Sequence, residues 1–429
     1  MSLLYYLPPE ILLIIFDLCD IYTLLQLRRV CKNFDVISTE ILNKKSNHLL
    51  ATNQISKKFR ERCKPLLSTY RSKFVTHYNW QWERFGKKNI FPLQTNFIKE
   101  LRGTTMNENC LKMTRNTIWL YDKNKLLAFN RAKNGNISRK NVIRATCDRQ
   151  FSSIAYCNDI IISGHVDGSI RHWRIESLNN INNIQQLKVH SNVYDEYVSN
   201  IEVTSQHIIS SSSNLIKLQK NTFENNAEEK ETIYWKGRKL IRSISLNPTE
   251  KKVAASAEQW FLIYDINKNC QVMDKCIDGN TCYQLLWQDT HTILMLYESY
   301  IKQMDTSYIR YSNFRTSKFV RTWDASVLDN IWCDLSRNLL SLRSDYLYTF
   351  MTGTEDNTVI LWDQRLSKFI NTFCINSDIN SNDPVFFVEF DSTHIYAITN
   401  QLGVVELDFQ LGYYSASRTY FRTYFSQFT

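Results

Sequence analysis

From Leu7 to about Leu42 the apolar residues recur at helical spacing: Ile11, Leu12, Ile15 and Phe16, then Leu24, Leu25, Leu27, Val30, Cys31 and Phe34. This pattern predicts a small helical module. Pro8 and Pro9 suit a helix start, where a missing N–H costs nothing, and Glu10 favours the positive end of the helix dipole. Asp20 and Thr23 sit where a first helix stops and the next is capped. Residues 44–90, with Lys57, Lys58, Arg60, Arg62, Trp80 and Trp82, read as further helix joining two units. After about residue 93 the chain changes to short apolar or aromatic runs broken by Asn, Asp, Gly and Ser, the punctuation of an all-β fold.

Within that all-β region a pair of segments aligns without gaps. Ile162-Ser163-Gly164-His165-Val166-Asp167-Gly168-Ser169-Ile170-Arg171-His172-Trp173 matches Met351-Thr352-Gly353-Thr354-Glu355-Asp356-Asn357-Thr358-Val359-Ile360-Leu361-Trp362. In both, a hydroxyl residue stands four before an Asp and the Asp six before a Trp. Two strands alternating around a tight turn give this spacing its reason, because Asp with Gly or Asn tolerates the backbone of the turn. The carboxylate accepts hydrogen bonds within the turn, and the Trp packs between sheets with its indole N–H on a nearby hydroxyl. With the Trp as a ruler, weaker copies follow: Tyr121-Asp122, Trp173-Arg174, Leu218-Gln219, Tyr264-Asp265, Met304-Asp305, Trp362-Asp363 and Leu407-Asp408. The residue six before the first member of the pair is acidic at Asp167, Glu258, Glu298 and Asp356. Seven copies at roughly forty to fifty residues predict seven four-stranded propeller blades.

Composition narrows the class without overturning it. The chain has 429 residues, 43% hydrophobic and 22% charged, a globular composition with room for a sizeable core. No apolar run approaches the eighteen or so residues of a membrane helix, and nothing argues for a secretory leader, so an intracellular protein, cytoplasmic and/or nuclear, is expected. The eleven cysteines include no C-x-x-C and read as reduced, mostly buried thiols. The net charge of +10 invites a nucleic-acid reading, but its location changes the picture. Residues 41–92 carry twelve basic and two acidic side chains, and the rest of the chain is nearly balanced. A solvated linker with basic faces accounts for this, and an acidic partner or nucleic acid is the alternative. The segment from Tyr413 to Thr429 holds seven aromatic residues and two arginines; it suits packing on the propeller surface or a short added strand, with base stacking as the alternative. The Glu-rich stretch Glu224–Glu231 reads as an exposed blade loop.

A nucleophile needs a positioned base and a metal needs clustered ligands, and the chain offers neither pattern. His165 and His172 flank a turn with Asp167 between them, which reads as turn and strand-surface residues rather than a metal site. No catalytic residues, cofactor or metal are expected.

The amino-terminal string Leu7-Pro8-x-Glu10-Ile11-Leu12-x-x-Ile15-Phe16, followed by Leu24, Leu27, Val30-Cys31 and Phe34, resembles an F-box; it departs from the usual form in Phe34, where Trp is common. The strings at 163–173 and 352–363 resemble WD repeats, although the Gly-His dipeptide that usually opens a repeat is absent from the middle copies. Within F-box/WD-repeat proteins the nearest likeness is to the dactylin type. It is carried by Val359-x-Leu361-Trp362-Asp363-x-Arg365, Pro384-Val385, His394-Ile395-Tyr396-Ala397, Leu407-Asp408-Phe409 and, in the linker, Arg60-Glu61-Arg62-Cys63. The resemblance implies a seven-bladed WD-repeat β-propeller (93–411) preceded by an α-helical F-box (1–45) and a basic helical linker (46–92), and followed by an aromatic tail (412–429).

It further implies a substrate-recognition subunit of a Skp-adaptor, cullin ubiquitin ligase. The F-box residues Leu7, Pro8, Ile11, Ile15, Phe16, Leu24, Leu27, Val30 and Phe34 would face the adaptor, and the propeller would hold an unknown protein substrate. Ser163, Asp167, Trp173, Thr352, Asp356 and Trp362 would be structural. A module of about forty residues cannot easily complete its own core, which agrees with a partner, although these side chains packing on the linker helices is the plainer alternative. A protein-interaction scaffold outside any ligase, or a nucleic-acid-associated propeller, also fits the residues.

Overall fold

A computed structural model describes residues 6–46, 49, 54–64, 66–81, 83, 85, 87–92, 110–178, 181–221, 231–233, 240–258, 260–276, 281–306, 319–325, 338–375 and 383–410. Trp82, Glu224–Lys230 and the segment Tyr413–Thr429 lie outside the described residues.

Five described helices come first: α1 (Pro9–Asp17), α2 (Ile21–Leu27), α3 (Lys32–Ser46), α4 (Lys57–Arg62) and α5 (Tyr70–Gln81). Pro9 opens α1, and Asp20 caps α2 by accepting the Thr23 N–H at 2.7 Å. Leu12, Phe16, Leu24, Phe34, Ile37, Ile41 and Leu42 form one small core, with Phe16 edge-on to Phe34 at 5.0 Å. Tyr70 and Phe74 of α5 lean on it, and Arg28 bridges Asp35 and the Tyr70 hydroxyl.

Twenty-eight described strands follow, from β1 (Lys87–Phe91) to β28 (Gly403–Asp408), in seven four-stranded antiparallel sheets. Six are continuous in sequence: β2–β5 (111–146), β6–β9 (151–190), β10–β13 (200–233), β14–β17 (243–276), β18–β21 (284–324) and β22–β25 (339–374). The first strands of successive blades touch all the way round, β26 (Val385–Phe390) meeting β2 (Leu111–Met113), so the ring is closed. This is the expected seven-bladed propeller.

The seventh blade is assembled from both sides of the chain. β26, β27 (His394–Thr399) and β28 supply three strands and β1 pairs with β28 as the fourth, in the order β1-β28-β27-β26. Lys87–Phe91 therefore stands ahead of the expected propeller start at residue 93 and yet lies in the sheet. The ruler falls on the third strand in six blades, for example on β8 (Ile170–Leu178) and β24 (Thr358–Asp363). In the first blade it does not: Tyr121-Asp122 ends the second strand, and Phe129 on β4 (Lys125–Arg131), paired with Ile118, holds the place that Trp362 holds opposite Phe350. The second strand of this blade carries the aromatic-Asp ending that Tyr264-Asp265 and Trp362-Asp363 give to the third strand of theirs, and Phe129 is followed by Asn130 rather than Asp.

The linker helices are attached to this ring rather than solvated. Trp80 of α5 is fully buried, stacks on Phe409 at 4.0 Å and donates its indole N–H to the Ser392 carbonyl at 3.0 Å. Asn79 donates to the Phe409 carbonyl at 2.8 Å. Phe59 of α4 is equally buried, against Phe390 at 5.5 Å.

Candidate functional site

The nine expected docking residues of the helical module divide three ways. Phe16, Leu24 and Phe34 are buried in its own core; Leu7, Ile15 and Leu27 are half-buried; Pro8, Ile11 and Val30 are exposed. Apolar residues outside that set are exposed as well: Ile14 is 63% exposed, Leu18 85% and Tyr22 50%, with Ile21 beside them in sequence at 39%. Ile11 and Ile14 on α1 and Leu18 at its C-cap lie at i, i+3 and i+7, a stripe distinct from the core pair Leu12 and Phe16. The signal was present in the sequence: α1 is apolar on two faces, and a helix of that kind needs a cover on each. The core of the module provides one.

On the propeller the repeated motif builds a clasp in each strong copy. Trp173 donates its indole N–H to Ser163 Oγ at 2.7 Å, and Trp362 does so to Thr352 Oγ1 at 3.0 Å. Asp167 accepts from the Ser169 N–H at 3.0 Å and from its hydroxyl at 2.6 Å; Asp356 accepts from the Thr358 hydroxyl at 2.8 Å. Gly168 has a φ of +75°, and a Cβ there would collide with the Tyr194 carbonyl, so the turn requires glycine.

His165 adds a third member to the first clasp, 2.8 Å from Ser163 Oγ, with its other nitrogen 3.9 Å from Cys147 Sγ. Burial, with Arg171 adding to it, lowers the His165 pKa to about 4, and burial raises that of the Cys147 thiol. Both shifts run opposite to what a thiolate–imidazolium nucleophile needs. His172 stands instead 5.2 Å ring to ring from His190. Among the described residues no group of three or more His, Cys, Asp or Glu could hold a metal ion.

The inner strands leave a cavity of about 170 Å³ at the mouth of the central channel toward which they end. Lys112, Glu202, Trp287, Arg343 and Glu389 line it from five blades, and Lys58 and Arg62 reach it from α4. Arg62 meets Glu389 at 2.9 Å and Arg343 meets the same carboxylate at 2.8 Å, so one acid holds two guanidiniums. A short linker helix thus caps one channel mouth. Its sequence showed the cations but not the destination, since the two acceptors of the Arg62 guanidinium, Glu389 and the Ser344 carbonyl, lie more than 280 residues away.

Where the last blade meets the first, a buried polar cluster locks the seam. Arg131, fully buried, pairs with Asp391 and donates to the carbonyls of Arg62 at 2.7 Å and Thr114 at 2.9 Å, and to the Tyr396 hydroxyl at 3.2 Å. Burial alone would raise the Asp391 carboxyl, but the Arg131 guanidinium beside it and His394 hold it well below the usual carboxylate range. Glu406 accepts the Ile137 N–H at 2.9 Å and the Asn89 amide at 2.7 Å, joining the first blade, the last blade and β1.

Comparison with known proteins agrees with this layout. Residues 4–45 match the F-box-like family. The propeller is similar to a chain in the crystal structure of the mitotic checkpoint complex, at 12% identity and a TM-score of 0.55, over 76% of this chain and 94% of that one. It is also similar to Chaetomium thermophilum Sqt1 in its structure bound to the N-terminus of ribosomal protein L10, at 10% identity and a TM-score of 0.52, over 69% and 81%. Likeness at these identities shows the fold alone. No curated protein matches the chain in sequence.

Proposed function

We propose that the chain is a substrate receptor of a Skp-adaptor, cullin ubiquitin ligase, its F-box-like module docking on the adaptor and its propeller holding the protein to be modified. One observation carries this: within the residues that match the F-box-like family, Ile11 and Ile14 on α1, its C-cap Leu18, and Ile21 at the start of α2 are exposed. Fully burying one such side chain is worth roughly 1.5–3 kcal/mol, and an apolar face of this kind, in a module that has already completed a core, is a surface for another protein. Nothing catalytic is required of the chain, which acts by bringing two proteins together inside the cell. The run Gly353–Phe409 is the part of the chain that resembles the dactylin type.

The test is a pull-down of the full chain against a Skp adaptor and cullin, beside the same chain carrying Ile14→Asp. Retention of the parent with loss in the substituted chain supports the receptor. Failure of well-folded parent protein to retain the adaptor leaves a propeller scaffold and removes the ligase role.

A further inference from the structure

We infer that the capped channel mouth binds a small oxyanion of the size of phosphate, held between the linker helix and the blades. Four cationic side chains line the cavity, Lys58, Arg62, Lys112 and Arg343, against two carboxylates, Glu202 and Glu389. Glu389 is shared by Arg62 and Arg343, and Glu202 lies 4.0 Å from Lys112, so among the lining residues cations outnumber carboxylates four to two. Lys58 lies over the ring of Tyr346, with its ammonium 5.6 Å from the ring centre, and makes no ion pair with either acid among the described contacts.

Surplus positive charge around a cavity calls for an occupant that is itself negative, and a tetrahedral oxyanion supplies several acceptors in a compact volume. A cavity of about 170 Å³ has room for such an ion and some water. Because Lys58 and Arg62 belong to α4 and Lys112 and Arg343 to the blades, the bound ion would tie the linker to the ring and stiffen the junction between the helical module and the propeller. This site is independent of the docking face on α1 and α2 and stands whether or not the adaptor binds.

The experiment is equilibrium dialysis of the full chain with inorganic phosphate at fixed ionic strength, with chloride as the balancing anion. One saturable phosphate per chain is expected, with affinity at least about tenfold weaker in Lys112→Met, the loss of one charge-assisted contact. Lys58→Met, at a half-buried position on α4, should weaken it in the same direction and serves if Lys112→Met folds poorly. Glu202→Gln, which removes a competing carboxylate, should tighten it. Absence of saturable binding, or equal affinity in the parent and both lysine variants, would overturn the inference.

Discussion

The two ends of the helical region invert what their compositions suggest. α1 and α2 are rich in Ile and Leu, yet Leu18 is 85% and Ile14 63% exposed; the basic α4 and the polar α5 bury Phe59 and Trp80 completely. The difference teaches that an apolar stripe states a need for cover but not what supplies it. In α4 and α5 the ring supplies the cover, through Phe390 and Phe409. On α1 and its C-cap the stripe Ile11, Ile14 and Leu18 is exposed, and in the proposed function an adaptor covers it.

The comparison breaks most severely at the junction. Trp80→Ala removes a fully buried indole stacked on Phe409 and leaves the Ser392 carbonyl unpaired, and should cost about 3–5 kcal/mol in chemical denaturation. Arg131→Met, which leaves Asp391 charged and buried without its guanidinium, should cost a similar 3–5 kcal/mol. If either variant unfolds at the parent's midpoint, the linker and the seam are not bound as described.

A smaller effect depends on pH. Asp345 is fully buried; it accepts the Leu347 N–H at 2.8 Å and the Thr349 N–H at 2.9 Å on one oxygen, while the other has no partner. Burial pushes its pKa up to about 6, offset only in part by those N–H groups. A carboxyl raised in the folded state binds its proton more tightly there than when unfolded, so stability should rise as pH falls from about 6 to about 4, by up to about 3 kcal/mol. Asp391 acts in the opposite sense: its depressed carboxyl contributes stability above the unfolded value near 4 that is lost below it. Asp345→Asn should flatten the rise between pH 6 and 4 and keep the acid loss; an unchanged slope would remove Asp345 as its cause.

The exposed stripe gives the converse outcome. Leu18→Asp should change stability by less than about 0.5 kcal/mol, because the side chain touches little, while abolishing adaptor binding. The least effect is expected from Lys57→Ala on α4, whose side chain is 84% exposed and whose pairing with Glu61 at 3.9 Å is a surface contact within about 0.5 kcal/mol of neutral.

Much of this fold was legible because its determinants are local. The Trp173 and Trp362 motifs place hydroxyl, turn and indole within eleven residues of one another, and the ruler they provide finds the third strand even where Leu218 or Met304 replaces the Trp. It failed at Tyr121, where a second strand happens to end in the same way. The closing strand Lys87–Phe91 was hidden for another reason: its partner Gly403–Asp408 is more than 300 residues away, and nothing in Lys-Lys-Asn-Ile-Phe announces that separation. The same holds for Arg62 on Glu389 and Arg131 on Asp391, which are ordinary basic residues until the ring closes. In the helical module the periodicity located the helices but mixed the core with the surface, so that Phe16 and Phe34 stood beside Ile11 in the expected docking set and Ile14 and Leu18 were passed over.

The most direct test of the account is the affinity of the full chain for a Skp adaptor, measured by calorimetry beside its Ile14→Asp/Leu18→Asp double variant, with the unfolding midpoints of both recorded. The account predicts binding by the parent, none by the variant, and midpoints that agree. Equal binding by both chains, or no binding by either while both remain folded, would contradict it.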